Sequence, residues 1–329
     1  MVIDLVGRGS GGRQMSEPAE GLDPTLYRRR LRSELRKARE AAGMTQRDVA
    51  EAMDWSPSKL IRIESGAVNI STNDLRALLG HYNVGSDRTN TLVNIARAAR
   101  EGVSRWNIYK DVATPELIAF LGYESSAAIS REFDPVLVPG LLQTEEYART
   151  VLKLFNSENP QRVDPLVDLR VERQELLVRE PAPKLHFIMD EAVIRRAVGG
   201  RDIMRRQLRH LQEVAEYPNV TIRVVPFEHG LYSNQWVPYI LFEFPNSEDG
   251  DVLYVENPQG EYIIRENSAE EKDKGSSPAY YLETFWELEQ VARREDTQNF
   301  LEDALDRLTT EPTRPAPEKK KDDTDTEQA

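Results

Sequence analysis

Ser58, Lys59 and Arg62 fall on one side of a short helical stretch whose other side carries Leu60 and Ile63. At 3.6 residues per turn the two apolar side chains bury together and the three polar ones face outward. Those residue types suit phosphate and base recognition. An Arg guanidinium bonds guanine in bidentate fashion, and a Lys ammonium reaches guanine or phosphate. Ser56 and Pro57 stand at the leading edge, the favoured order of an N-cap and a first-turn proline. Gln46, at the start of the preceding helical stretch, is placed to hydrogen-bond a phosphate beside free helical N–H groups. Catalytic chemistry has no comparable signature. His186, His210 and His229 share no metal-ligand spacing, the chain has no cysteine, and neither a Gly-x-Ser-x-Gly elbow nor a dinucleotide glycine fingerprint occurs. The expectation is a protein that is not an enzyme, with no catalytic residue, no metal site and no cofactor.

The elements that must hold these residues are short and well punctuated. Leu31, Leu35 and Ala38 share a helical face that ends at Gly43. Thr45 with Asp48 three residues on reads as a capping box, opening a helix of about two turns with Val49, Ala50 and Met53 inward. A turn of about four residues follows, then the helix at 57–65, stopped by Gly66. Ser71 to Asp74 open a fourth helix with Leu75, Leu78, Leu79 and Tyr82, and Ser86 and Asp87 open a fifth. Two short helices separated by such a turn form a helix-turn-helix, whose second helix lies in the major groove of DNA. The rival reading is a helical adaptor that binds only protein.

Charge divides the chain. The 329 residues carry 43 Lys+Arg and 56 Asp+Glu, a formal net charge of -13. Residues 25–110 hold 16 basic and 9 acidic groups, a local +7, whereas residues 111–329 amount to -18. A small basic module fused to a larger acidic one is the footprint of a segment that meets phosphate backbone. No apolar run approaches the ~18 residues of a membrane span, and the first residues lack a signal-peptide apolar core. These features fit a cytoplasmic, nucleoid-associated protein with no membrane partner.

The run Leu35 to Tyr82 contains Gly43-Met44-Thr45-Gln46, Ala50-Glu51, Ser56, Leu60 and Arg62-Ile63-Glu64-Ser65-Gly66. It resembles the XRE-type helix-turn-helix family of lambda- and 434-repressor-like regulators. The resemblance implies an α-helical lambda-repressor-like domain at 25–102 that contacts DNA through Gln46, Ser56, Pro57, Ser58, Lys59 and Arg62. It also maps a structural ion pair onto Arg39 and Glu64, since a buried charge needs a partner. Two positions depart from the pattern. Pro57 replaces a residue that contacts a base in some members, and Ile61 stands where a polar residue is commoner, within reach of a thymine methyl or the sugar backbone.

Beyond Trp106 the pattern becomes mixed. Residues 111–180 read as helical, including Thr144 to Phe155 and a helix from Asp164 to Arg179. Strands are expected at Lys184 to Met189, Val220 to Phe227, Trp236 to Phe244, Val252 to Val255 and Tyr262 to Arg265, with helices at Glu191 to Val198 and Arg201 to Tyr217 between the first two. A single helix from Pro278 to Leu308 closes the pattern. The expected fold at 103–310 is a mixed α+β domain with a small, largely antiparallel sheet. An arm at 1–24 and a tail at 311–329 are too polar to fold.

Val138-Pro139-Gly140-Leu141-Leu142-Gln143-Thr144, Glu146-Tyr147-Ala148-Arg149, Arg170-x-x-Arg173-Gln174, Asp190-Glu191-Ala192 and Tyr254-Val255-Glu256 are similar to the C-terminal domain of antitoxin-like bacterial regulators of Scr-type toxin–antitoxin-like systems. That resemblance implies a small partner protein encoded nearby. The segment with Pro139, Gly140, Leu141, Leu142, Gln143 and Tyr147 has two readings, a buried turn and helix start or the wall of a partner or ligand groove. The expected protein is a sequence-specific transcriptional regulator. It binds a double-stranded DNA operator as a homodimer, because one short recognition helix reads too few bases alone. An antitoxin that mainly sequesters its partner, and a small-molecule-sensing regulator, remain as alternatives.

Overall fold

The computed structural model describes residues 22–256, 262–266 and 277–310. The expected tail and all but the last three residues of the expected arm lie outside the described residues.

Five helices form the first body: α1 (Pro24–Ala41), α2 (Gln46–Ala52), α3 (Pro57–Ser65), α4 (Thr72–His81) and α5 (Ser86–Glu101). α1, α2 and α4 begin where a side chain satisfies free N–H groups. Asp23 accepts from the Thr25 N–H at 2.9 Å before α1, and Ser71 accepts from the Asp74 N–H at 3.0 Å before α4. The capping box at α2 is complete, with the Asp48 N–H donating to the Thr45 hydroxyl and the Thr45 N–H to the Asp48 carboxylate. Leu31, Leu35, Val49, Leu60, Ile63, Leu75, Leu78, Leu92 and Val93 close the core.

The second body is a six-stranded sheet with helices on both faces. Its strands are β1 (Ile129–Asp134), β2 (Lys184–Asp190), β3 (Val220–Val225), β4 (Tyr239–Glu243), β5 (Val252–Glu256) and β6 (Tyr262–Glu266), in the order β3-β2-β1-β4-β5-β6. The sheet is mixed, which corrects the expectation of a largely antiparallel one. β1 pairs parallel with β2, and β2 parallel with β3, while β1–β4, β4–β5 and β5–β6 are antiparallel. The error traces to β1, which lies in a stretch read as helical. Arg131 and Glu132 interrupt its apolar pattern, yet β1 is the strand where parallel and antiparallel halves meet.

On one face, Phe187, Met189, Val220 and Ile222 pack under α7 (Glu145–Phe155), α10 (Arg201–Ala215) and α12 (Thr297–Thr310). On the same face, Phe242, Val252 and Tyr254 pack under α6 (Pro115–Ser126) and α8 (Val163–Arg173). The opposite face buries Phe133, Ile188, Tyr239, Leu241 and Leu253 against Tyr281, Phe285 and Leu288 of α11 (Pro278–Val291). A short α9 (Glu191–Arg195) follows β2. The helix expected at 278–308 is therefore two helices with a 3₁₀ turn, Arg294–Asp296, between them. The break lets the chain pass from one face of the sheet to the other around β3. Arg223 Nη1 donates to the Ala292 carbonyl at 3.0 Å, and the Thr297 hydroxyl donates to the Ile222 carbonyl at 2.9 Å. The edge is thereby covered. The helix expected from Asp164 likewise ends early, at Arg173, and continues as a 3₁₀ turn, Gln174–Leu177.

α1 belongs to both bodies. Tyr27, Leu31 and Leu35 pack in the five-helix core, while Leu26 packs with Trp106, Phe120 and Leu121 in the second. Polar contacts reinforce the joint. Arg29 donates to the carbonyls of Asp249 and, at 3.1 Å, of Asp251, and Arg30 pairs with Glu248 at 3.0 Å. The Ser104 hydroxyl donates to Asp23 Oδ2 at 2.6 Å. No helix among the described residues is long and apolar enough to cross a membrane.

Candidate nucleic-acid interface

The buried carboxylate of Glu64 fixes the relation of α3 to α1 and α2. Arg39 on α1 donates to it in bidentate fashion, Nε to Oε1 at 2.8 Å and Nη2 to Oε2 at 3.2 Å. Gln46 Nε2 donates to Oε2 at 2.8 Å, and Arg39 Nη1 caps the Met44 carbonyl at 2.9 Å. Three helices thus meet on one carboxylate that is only 2% exposed. Arg32 donates to the Ser65 carbonyl at 3.1 Å, satisfying a group at the C-terminus of α3. Gly66 then ends the helix at φ 79°, a left-handed conformation that a Cβ would strain.

The opposite face of α3 is free. Ser58, Ile61, Arg62 and Ser65 are exposed, and Pro57 and Ser56 lead into them. Arg62 makes no side-chain hydrogen bond or ion pair among the described residues, so its guanidinium is available to a base edge. Ser56 occupies the N-cap position, but its hydroxyl pairs with that of Ser58 at 3.1 Å rather than with a backbone N–H. The leading N–H groups of α3 therefore lack a side-chain cap.

Two side chains of the expected DNA-contacting set take partners within the protein. Gln46, expected on phosphate, turns its amide nitrogen inward to Glu64. A buried carboxylate with lone pairs to spare is the stronger attraction. Lys59, expected to reach the groove, leans sideways, its Nζ 3.2 Å from Asp74 on α4 and 3.8 Å from the centre of the Trp55 ring. Trp55 and Asp74 thus belong to the surroundings of the reading face although spacing alone did not single them out. A tryptophan in the turn just before a recognition helix was the available signal. Arg47, exposed one residue into α2, is a further cation on this side.

Pro139, Gly140, Leu141, Leu142, Gln143 and Tyr147 form no surface. Leu141, Leu142, Gln143 and Tyr147 are at most 2% exposed, Pro139 is buried and Gly140 half-buried, so the groove-wall reading is overturned. Their polar atoms are consumed internally. Gln143 donates to the Val138 carbonyl at 2.7 Å and accepts from Arg170 at 2.7 Å, the Val138 N–H donates to the Tyr147 hydroxyl at 3.2 Å, and Gln207 Nε2 donates to the Leu142 carbonyl at 2.6 Å. Beside them Arg173 forms a buried bidentate pair with Glu124 at 2.7 and 2.8 Å. Glu132 on β1 lies in the same seam. Burial first, and Asp134 second, push its carboxyl up to about 8. His186 on β2 is driven the other way, its imidazole lowered to about 4 by burial and then by Arg131 and Arg223. Among the described residues no group of three His, Asp or Glu side chains is arranged to hold a metal ion.

Fold and exposed helix together define a helix-turn-helix protein of the DNA-binding regulator class. A family profile described as a helix-turn-helix domain matches residues 30–92. A second, described as a domain of unknown function (DUF5753), matches residues 117–302, more than half of the chain, and the chain belongs to that family. No curated protein and no solved structure matches it.

Proposed function

We propose that the chain is a non-catalytic transcriptional regulator of the XRE type that binds a two-fold symmetric operator as a homodimer in the cytoplasm, at the nucleoid. The observation that carries this reading is the exposed row Ser58, Ile61 and Arg62 on a helix held rigidly from behind by Glu64, Arg39 and Gln46. Preorganisation of that kind is what groove reading requires. Arg62 supplies the specific base contact, Ile61 the apolar contact to a thymine methyl, and the body at 103–310 sets DNA affinity through α1. Footprinting on DNA upstream of the gene tests it. Two protected half-sites about 34 Å apart are expected, and protection that is indifferent to base sequence at matched salt refutes it.

A second reading, an antitoxin-like role in which a small partner protein is bound, is favoured by the net charge of -18 on residues 111–329. That charge suits a basic partner and repels DNA from this part of the chain. Copurification with intact-mass measurement tests it: a small protein in fixed stoichiometry is the expected result.

A further inference from the structure

Between the segment 226–238, which joins β3 to β4, and the flank of α11 that carries Thr284, Glu287, Leu288 and Val291 lies a cavity of about 280 Å³. His229, Leu231 and Tyr232 form one wall, and Glu287, Leu288 and Val291 form the other. The cavity sits at the carboxyl ends of the parallel strands. The segment leaves β3 directly after Val225, and the Tyr232 hydroxyl donates at 2.6 Å to Asp190, the last residue of β2. The Phe227 N–H donates at 2.9 Å to Glu191, the first residue of α9. In open sheets with helices on both faces, this is the edge where ligands bind.

The walls state what would enter. Neither residues 226–238 nor α11 contains a Lys or Arg, whereas Glu228, Glu283 and Glu287 all carry carboxylates. Among the described residues the cavity lining carries the Glu287 carboxylate and no Lys or Arg, so an anion would meet like charge at Glu287. Leu231, Leu288 and Val291 give the cavity its apolar surface beside the hydroxyls of Ser233 and Thr284, and the rings of His229 and Tyr232, 5.9 Å apart at 32°, offer a surface on which a flat group can lie. Leu231, on the cavity wall, is 81% exposed, apolar surface that a bound apolar body would cover. At ~30 Å³ per water-sized group, the cavity has room for roughly nine such groups, the size of an arylalkylamine.

We propose that this cavity is a binding site for a small organic cation with an apolar body, its ammonium against Glu287 and its body between Tyr232 and Leu288. The proposal goes beyond DNA recognition and stands independently of it. Titration calorimetry on the full chain with tyramine, 4-ethylphenol and 4-hydroxyphenylacetate varies charge on one ring. Tyramine is expected to bind saturably at one site, at least tenfold more tightly than the neutral phenol, with no binding of the anion. Glu287→Gln should erase the tenfold preference, and Val291→Trp should fill the cavity and abolish binding, both with the parent's circular dichroism. Equal binding of amine and anion overturns the proposal. So does amine binding that neither substitution alters, or the absence of saturable binding by both tyramine and phenyltrimethylammonium at millimolar concentration. Binding of a Lys-rich peptide without binding of either amine also overturns it, and reassigns the surface to a protein partner.

Discussion

Glu64 receives three hydrogen bonds from two side chains on two other helices, so its removal does more than delete a contact. It strips the Arg39 guanidinium, only 12% exposed, of its buried bidentate partner and leaves the half-exposed Glu40, 3.5 Å away, in its place. Losing one partner of such a pair costs about 3–5 kcal/mol. Glu64→Ala should therefore lower the thermal midpoint of the five-helix body by circular dichroism, well beyond the effect of Glu51→Ala on the exposed side of α2. Arg62→Ala should leave the midpoint unchanged and weaken operator binding by about 1–3 kcal/mol at matched salt, measured by gel shift. An unchanged affinity would mean that the reading face is wrongly assigned. Glu132 gives a pH signature. Its carboxyl, ordinarily 4.5, titrates at about 8 in the folded chain, so between those values the folded state keeps a proton that the unfolded state has released. Stability then falls as pH rises across that window. Glu132→Gln should lose less thermal stability than the parent between pH 5 and pH 8.5. The Arg39–Glu64 pair was legible because the motif around Gly66 aligns it with a known pattern. The orientation of Gln46 was not, because spacing places a side chain on a helix face without saying which of two partners it takes.

At the scale of elements, the five helices were readable because each carries its own punctuation: a capping box at Thr45, a proline at Pro57, a left-handed glycine at Gly66. Gly66→Ala tests the last of these. At φ 79° the new methyl is strained and presses on the Arg32 side chain, so a loss of about 1 kcal/mol or more is expected in denaturant unfolding, with α3 loosened at its C-terminus. The sheet was less legible for a physical reason. A strand such as β1, whose neighbours on both sides are supplied by distant segments, need not alternate cleanly. Arg131 finds Glu243 at 2.8 Å, and Glu132 is buried among charges. Its pairing is decided by tertiary contacts, and with it the parallel character of half the sheet. The break between α11 and α12 was hidden similarly, since it answers to the need to round β3 and not to a local breaker. The burial of Leu141 and Leu142 was one of two readings open from the sequence. Only the polar network of Gln143, Arg170 and Gln207 decides it.

For the whole molecule, the bipartite charge was visible from counting, but the joint was not. Nothing in the spacing of Leu26 relative to Leu31 announces that the two residues enter different cores. Leu26 is 1% exposed, and Leu26→Ala should cost about 2–5 kcal/mol. Hydrogen exchange should show the loss in α6 and the 3₁₀ turn at Arg105–Tyr109 as well as in α1, whereas a change confined to the five helices would refute the shared-helix arrangement. The same helix has a mechanical consequence. With 18 residues at 1.5 Å each, α1 is a rod of roughly 27 Å. It is gripped near its first turns by Arg29 and Arg30, and Arg39, two residues before its end at Ala41, holds the back of α3. A tilt of about 5° about Arg29 and Arg30 would displace Arg39, roughly 14 Å further along the axis, by about 1 Å, more than the spread of hydrogen-bond lengths that base reading tolerates. The rod thus joins the 248–251 loop to the back of α3 through one continuous helix, so a shift of that loop would be carried into the five-helix body as a rigid movement.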